Sequence, residues 1–506
     1  MTEPIIYVAS AGTGKSTALL NDLAEQLETH TPETIVFTTF TNAGAQETAK
    51  RAMERFPQFK EYQFRYFRTL HSIAYRSIPH KKVITFRDYI ALGKQLGLSI
   101  NAKRALSGTD NNNYNEFSLG DKLLHLDALK RNRRLTWSQV AQIQELSNFS
   151  PSEIQDFSEK YQKFRLQNHV YDFTDQLEQF LTSLDSFPNI SNLYVDEAQD
   201  LCKLQWEIIN QLSKQPKTRT VVAGDDKQAI YGFNGGDPRT LITLPGRRKI
   251  LSTTYRCPSN ILEYAETIAQ RIKEKQEYTC QSNKMGGSVQ RVRHLKQLKD
   301  EMKQGTWFIL VRNRKFLEHI ERTLNEMGVL FESDLGSSLD PKLCEAIPAW
   351  EELIRGYGVE SRIIKHIYHN YLRGADTVAY GFKKTIFNID DDETVTWEQL
   401  NEGFGLLTKL PWNRAFTLPQ FLMELAQKAE RDGELGKPPR IRATTIHAVK
   451  GREAENVVLL PDQTRLTRMG FQKNPDDEHR VFYVGATRTR NNLFLHQPLT
   501  DQFYPL

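Results

Sequence analysis

The chain has 506 residues, room for roughly three or four domains by length alone. Its 39% hydrophobic and 25% charged content is that of an ordinary soluble protein, and a net charge of +5 permits a nucleic-acid partner without requiring one. No apolar stretch approaches the about 18 residues that a membrane helix needs, and the start lacks a signal peptide's charged and apolar regions. The four cysteines, Cys202, Cys257, Cys280 and Cys344, include no C-x-x-C pair. No zinc or iron–sulfur site is readable from them, and a reducing compartment is expected. The expected location is therefore cytoplasmic and nucleoid-associated, with no membrane partner.

Ile5 to Ala9 is a short apolar run, followed at once by ASAGTGKST and then by ALLNDLAEQLE. Strand, glycine-rich loop and amphipathic helix make a phosphate-binding loop in the context that it requires. Gly12 and Gly14 let the backbone N–H groups turn inward, and the helix N-terminus adds partial positive charge. Lys15 is expected to reach the β- and γ-phosphates of ATP, and Ser16 to hold Mg2+. Ala9, Ser10, Ala11, Thr13 and Thr17 complete the loop. Ala9 stands where the pattern G-x-x-x-x-G-K-S/T begins with glycine.

Thr34 to Ala52 reads as a β-branched strand that turns into a helix from Ala43. Thr39, Thr41 and Asn42 fall at the strand's end, where open α/β sheets bind ligands. YFRTLHSIAYR (Tyr66 to Arg76) mixes aromatics, arginines and His71; taken alone, His71 reads as a core histidine. Together, TFTNAGAQE and TLHSIA downstream of AGTGKST resemble the UvrD/Rep/PcrA group of superfamily 1 helicases.

The later motifs arrive in that family's order. Residues 77–160 carry no chemical motif; the family places an inserted accessory domain there. DNNNYNE (Asp110 to Glu116) reads as a loop. The densest basic cluster, LKRNRRL (Leu129 to Leu135), reads as a solvated helix face or as a phosphate contact. Asp172 and Phe173 resemble the family's "DF" step. In LYVDEAQD (Leu193 to Asp200), an apolar strand delivers Asp196 toward Mg2+ and Glu197 toward the attacking water. In VVAGDDKQAIYGFNGG, Gln228 resembles the γ-phosphate sensor. Tyr231 and Phe233 resemble an aromatic platform on which a base stacks. The family usually has Trp at Phe233 and Arg at Asn234, so a smaller π-face and a weaker grip are expected.

LSTTYRCPSNI brings Tyr255, resembling the residue that stacks on the nucleotide base, and Arg256, resembling an arginine finger. Thr306 to Gly328 reads as a strand, a polar turn at Arg312 and Asn313, and a helix: a second α/β unit without a phosphate loop. From Val359 to Gly436 the chain turns polar, where the family has a larger accessory domain. Thr445, His447, Lys450, Gly451 and Glu453 match T-x-H-x-x-K-G-x-E. Thr445 and His447 are expected to couple nucleotide state to DNA, and Glu453 to read the nucleotide sugar. Ala454 replaces the family's usual Phe. Arg488 resembles a second arginine finger; Arg480 and Thr487 also fall on motif positions. With Met1 to Pro4 before the first strand, the family's adenine-contacting Gln segment is not expected here, and a relaxed nucleotide preference is.

The expected fold class is α/β: two RecA-like P-loop motor domains with mainly helical inserted accessory domains. The expected partition is 1–76 and 161–248 for the first motor domain, with 77–160 inserted. The second takes 249–358 and 437–506, with a reduced insertion at 359–436. The resemblance implies an ATP-dependent DNA helicase or translocase moving 3′ to 5′ on single-stranded DNA and unwinding duplex DNA at single-strand/duplex junctions, in DNA repair, replication or recombination. DNA is expected along Thr39, Phe40, Asn42, His71, Tyr231, Phe233, Thr445 and His447. Replication, repair or nuclease proteins are the expected partners. Two further readings stay open: the motor subunit of a nuclease or defence complex, and a translocase that remodels protein–DNA complexes with little unwinding. No nuclease domain is expected after Arg488, so a nuclease is expected to be a separate protein. A small-molecule P-loop kinase would leave the later motifs unexplained, and an RNA helicase is a further reading that comparing DNA with RNA as activators decides.

Overall fold

A computed structural model describes residues 3–78, 82–101, 117–143, 149–374 and 376–506. The loop expected at Asp110 to Glu116 lies outside these. The chain divides into two compact units. The first runs to Arg291 and includes Leu310–Asn313 and Thr445–Leu506; the second comprises Val292–Ile309 and Arg314–Thr444.

The first unit is built on a five-stranded sheet. Its strands are β1 (Ile5–Ala9), β2 (Ile35–Thr38), β3 (Asn192–Val195), β4 (Arg219–Gly224) and β5 (Arg247–Leu251). The order is β2-β3-β4-β1-β5 and every pairing is parallel. Parallel strands are covered on both faces, which is why they read as continuous apolar runs. Side chains alternate between the two covers. Ile6, Val8, Val36, Leu193, Val195 and Val222 enter one cluster with Leu70, Ile73, Leu177 and Phe180. Tyr7, Phe37, Tyr194, Val221 and Ala223 enter the other, with Leu19, Leu20 and Leu23.

The helices used below are α1 (Lys15–Gln26), α2 (Asn42–Arg55), α3 (Leu70–Ser77), α4 (Leu119–Arg133) and α5 (Phe173–Ser183). The region around α4 forms its own apolar core, in which Leu123, Leu126 and Leu129 meet Ile154, Phe157, Tyr161 and Phe164. Later in the same unit, strands Ala454–Leu459 and Thr489–His496 pair in parallel. Helix Pro475–Ala486 packs on helix Ser259–Ala269.

In the second unit, strand Phe331–Ser333 pairs in parallel with Ile441–Thr445. Helix Leu317–Met327 ends at Gly328, whose φ of 62° supplies the left-handed cap. A helical core gathers Trp350, Ile364, Tyr368, Leu400, Trp412 and Phe416. The indole of Trp350 donates to the Leu410 carbonyl at 3.0 Å, and that of Trp412 to Glu430 at 2.9 Å. The stretch from Val359 that reads as polar in sequence thus encloses a substantial core together with helix Pro341–Ile354. The fold class is α/β with parallel sheets. Among the described residues no helix is long and apolar enough to cross a membrane.

Candidate nucleotide and strand site

The C-terminal edge of the first sheet collects the nucleotide candidates. β1 ends at Ala9, and the loop from Ser10 turns through Gly12 and Gly14, with φ of 71° and 79°. Both values lie where L side chains are strained, so glycine is required. A Cβ on Gly12 would also collide with the Cβ of Arg256 and sit 2.9 Å from Thr254 Oγ1. The loop is pinned from several sides. Thr13 Oγ1 donates to the Ser10 carbonyl at 3.0 Å, and Thr254 Oγ1 donates to the Ala11 carbonyl at 2.7 Å. Tyr278 donates to the Ala9 carbonyl at 2.8 Å, and the Ser10 hydroxyl meets that of Tyr483 at 2.7 Å. Gly14 caps α1, which opens with Lys15, Ser16 and Thr17 and carries the dipole of a helix start.

Ser16 Oγ donates to Asp196 Oδ2 at 2.7 Å. A hydroxyl and a carboxylate fit a hard Mg2+ ion, which takes few protein oxygens and completes its shell from phosphates and water. Among the described residues no cluster of three or more His, Cys, Asp or Glu side chains could replace that arrangement. Burial and the neighbouring Glu197 charge push the Asp196 carboxyl above the usual range. Burial would raise Glu197 too, but the ammonium groups of Lys15 and Lys450 outweigh it and hold that carboxyl below its ordinary range. Glu197 has a left-handed φ of 54°, an unfavourable setting for a residue with a side chain. Gln199 bridges the acids to the end of β4: its amide donates to Glu197 at 2.5 Å and its oxygen accepts from Asp225 N at 3.0 Å.

Gln228 donates to Asp225 Oδ2 and accepts from Arg488 Nη2 at 2.7 Å. Arg488 is 1% exposed. Burial and the adjacent Arg256 charge lower its guanidinium to about 9. Arg256 Nε meets Glu453 Oε2 at 2.5 Å. Tyr255 is 58% exposed, and its N–H donates to the Gly12 carbonyl at 2.9 Å. Phosphate-loop, acid, glutamine and arginine candidates therefore stand together, with Tyr255 open on their border.

The strand candidates form a second group. The rings of Phe40 and Tyr231 stack at 4.9 Å. Phe233 lies 5.9 Å from Tyr231 and 5.7 Å from His447. Tyr231 is the centre of this group: it is 8% exposed, with Phe40 against its ring and the Lys450 ammonium 5.0 Å from its centroid. Phe233 is only partly buried. His447 is 2% exposed; burial first, then Arg312 and Lys450, push its imidazole well below the ordinary range, and its Nδ1 has no hydrogen-bond partner. A cavity of about 540 Å³ opens beside Phe233 and His447, with Arg133 and Arg312 in its lining.

Other strand candidates lie elsewhere. Thr39 and Thr445 are buried at the ends of their strands. Asn42 starts α2, capped by Thr41, which accepts from Gly44 N at 3.1 Å. His71, in α3, sits 6.1 Å from the Phe173 ring, and burial lowers it to about 4.

Several functional contacts escape the sequence reading. Lys450 pairs with Asp200 and donates to the Gln228 carbonyl at 2.6 Å, joining the two groups. Both residues lie inside motifs already singled out, and their opposite charges are the signal that could have paired them. The turn at Arg312 and Asn313 is polar as expected but buried: Arg312 grips Glu478 at 2.6 Å, and Asn313 donates to Thr467 at 2.9 Å. The cluster LKRNRRL is neither a solvated face nor a bare phosphate contact at Arg131 and Arg134, which are engaged with carboxylates.

Two family models match the chain. The UvrD/REP helicase N-terminal domain covers residues 1–247, and the UvrD-like helicase C-terminal domain covers residues 382–498. Among similar proteins, the Schizosaccharomyces pombe ATP-dependent DNA helicase srs2 is 26% identical over 64% of this chain and 41% of its own length. The Staphylococcus epidermidis ATP-dependent DNA helicase PcrA is 25% identical over 57% of this chain and 41% of its own length. A probable DNA helicase II homolog of Mycoplasma pneumoniae is 24% identical over 99% of this chain and 83% of its own length. The chain thus spans well under half the length of the first two relatives.

Proposed function

The chain belongs to the UvrD/REP helicase family, and from that premise we propose that it is an ATP-driven DNA motor. It moves 3′ to 5′ along single-stranded DNA and separates duplex at single-strand/duplex junctions. One observation carries the reading: Lys450 ties the nucleotide group to the strand group, reaching Asp200, the Gln228 carbonyl and the face of Tyr231. A change at the γ-phosphate sensor therefore has a physical route to the turn that carries Phe233.

In this reading Lys15 and the loop N–H groups from Ala9 to Thr17 hold the phosphates. Ser16 and Asp196 hold Mg2+, which when bound draws charge from the phosphate oxygens. Glu197, kept ionised by two lysines, orients and deprotonates the attacking water. Gln228, Arg256 and Arg488 meet the γ-phosphate and the charge that develops there. Glu453 reads the sugar once Arg256 turns to the phosphate, and Tyr255 stacks on the base. Phe233 presents a face to the strand, with Tyr231 and Phe40 beneath it; His447, Thr39, Asn42, His71 and Thr445 line the path. Backbone contact plus stacking makes binding independent of sequence and sensitive to salt.

The motor halves of this proposal are residues 1–76 with 161–248, and 249–358 with 437–506; the insertions are 77–160 and 359–436. Nucleoid DNA and replication or repair proteins are its proposed company. The test is ATP hydrolysis with and without single-stranded DNA, beside Lys15→Ala. Stimulation that disappears in the variant supports a DNA-driven motor. Unwinding of a 3′-tailed but not a 5′-tailed duplex then supports the direction. Hydrolysis indifferent to DNA removes the reading.

A further inference from the structure

The basic end of α4 is occupied in an unexpected way. Arg131 is 9% exposed, and its guanidinium meets Asp172 at 2.8 Å, Asp175 at 2.5 Å, Glu178 at 2.7 Å and Asp127 at 3.4 Å. Arg134 bridges Glu178 and Glu207, each at 3.0 Å. Asp172, Asp175 and Glu178 recur every third residue from the N-cap of α5, so they share one helix face. The planar, five-donor guanidinium suits such a cradle. Arg165 also reaches Asp172 and Asp175, but without Arg131 this largely buried group of four carboxylates would lose its central positive charge. Because α5 also supplies Leu177 and Phe180 to the core under the sheet, the end of α4 is fastened to the body of the unit.

Two residues further on, about 200° around the helix, Arg133 points the other way. Its Nη2 donates to the carbonyl of Gly232, the first residue of the turn Gly232–Asn234 that carries Phe233. Gly235 closes that turn with φ of 100°; a Cβ there would lie 3.3 Å from Asn132 Cβ and 3.5 Å from Arg133 Cγ. The end of α4 therefore packs directly on the turn. We propose that Arg133 is a positioning residue for DNA: anchored through Arg131, it holds the Phe233 turn so that the ring is already set before the strand arrives. The inference rests on the reading of Phe233 as the strand platform. A turn fixed in advance spares the ordering cost that a loose one would incur at each binding event.

Arg133 also borders the cavity beside Phe233, and its Nε has no partner. Direct contact with a phosphate is thus the rival outcome, and salt dependence separates the two. The experiment measures binding of a labelled oligo-dT across a salt series. It uses the wild type, Arg133→Ala, Arg133→Lys, Phe233→Ala and the Arg133→Ala/Phe233→Ala double variant, each checked by thermal melting. For a positioning role, Arg133→Ala loses about five- to tenfold in affinity, within the range of a lost stacking contact. The slope of log affinity against log salt stays unchanged, and Arg133→Lys, which can still donate to Gly232, recovers most of the loss. The double variant binds no more weakly than Phe233→Ala. A slope shallower by about one unit, or losses that add in the double variant, would overturn the proposal in favour of a phosphate contact. If Arg133→Ala binds as the wild type while Phe233→Ala is weakened, the proposal alone fails. If Phe233→Ala itself binds normally, the platform reading falls and this inference with it.

Discussion

Arg488 and Gln228, 260 residues apart in sequence, share a hydrogen bond of 2.7 Å in a buried setting. Arg488 also donates to the carbonyls of Val484 and Arg452 and to the Thr487 hydroxyl, and Gln228 to Asp225, so four of the five guanidinium donors are engaged. In the proposed function this pair is the part of the site that meets the γ-phosphate. Removing either partner takes away the hydrogen bond that joins them, while Arg488 keeps Val484, Arg452 and Thr487 and Gln228 keeps Asp225. Arg488→Ala is expected to lower DNA-stimulated ATP turnover by about 10³, and Gln228→Ala by less. The double variant should be no slower than Arg488→Ala. Steady-state hydrolysis by all three checks the coupling; fully additive losses would separate the two residues.

Glu197 is expected to act through its charge. Glu197→Gln keeps the shape and the neighbours Gln199 and Lys15 but cannot accept a proton. Nucleotide affinity should be retained while turnover falls about 10²- to 10⁴-fold. Fluorescent-nucleotide binding beside single-turnover hydrolysis distinguishes this from a defect in binding.

Gly12→Ala should abolish nucleotide binding with little loss of fold. The new methyl group meets Arg256 and Thr254 across the loop, and the φ of 71° disfavours any side chain. Calorimetric titration with ATP and a far-UV spectrum test the two halves of the claim.

Acid should destabilise the first unit through His447. Its pKa is depressed in the folded chain by burial and by Arg312 and Lys450, so the unfolded chain takes up the proton more readily. The stabilising difference is present above the unfolded value of about 6.5 and is lost as pH falls below it. His447→Gln, which cannot titrate, should show a flatter melting temperature between pH 7 and pH 5 than the wild type. Equal slopes would mean that His447 is not the group responsible.

Trp412→Ala should destabilise the second unit by about 3–5 kcal/mol. The indole is 1% exposed and is hydrogen-bonded to Glu430, so the change opens a cavity and removes that hydrogen bond. Urea unfolding followed by the remaining tryptophans measures the loss.

Local patterns carried the sequence reading furthest. The apolar run of β1, the glycines and the start of α1 lie within some twenty adjacent residues, and the structure follows them closely. The acids after β3 and the polar end of β4 are legible for the same reason: a parallel strand buried on both faces ends abruptly in polar residues. Arg131 was opaque because what surrounds it comes from α5, 41 to 47 residues away. A basic run looks the same in sequence whether it faces water, phosphate or carboxylates. Arg312 hid its burial because Glu478 lies 166 residues on. The stretch from Val359 reads as polar because its buried tryptophans and tyrosines are spaced among charges on short elements, with no sustained period.

The hydroxyl contact between Ser10 and Tyr483 spans 473 residues. During synthesis at roughly 5–20 residues per second, the phosphate loop leaves the ribosome well before its distant partner has been made. For roughly half a minute to a minute and a half, the nascent chain carries the loop without Tyr483, Arg488 or Lys450. Under the proposed function, such a chain lacks part of the set that would turn over ATP and couple it to DNA. On that proposal, the order of translation keeps the chain idle until the proposed catalytic set is assembled.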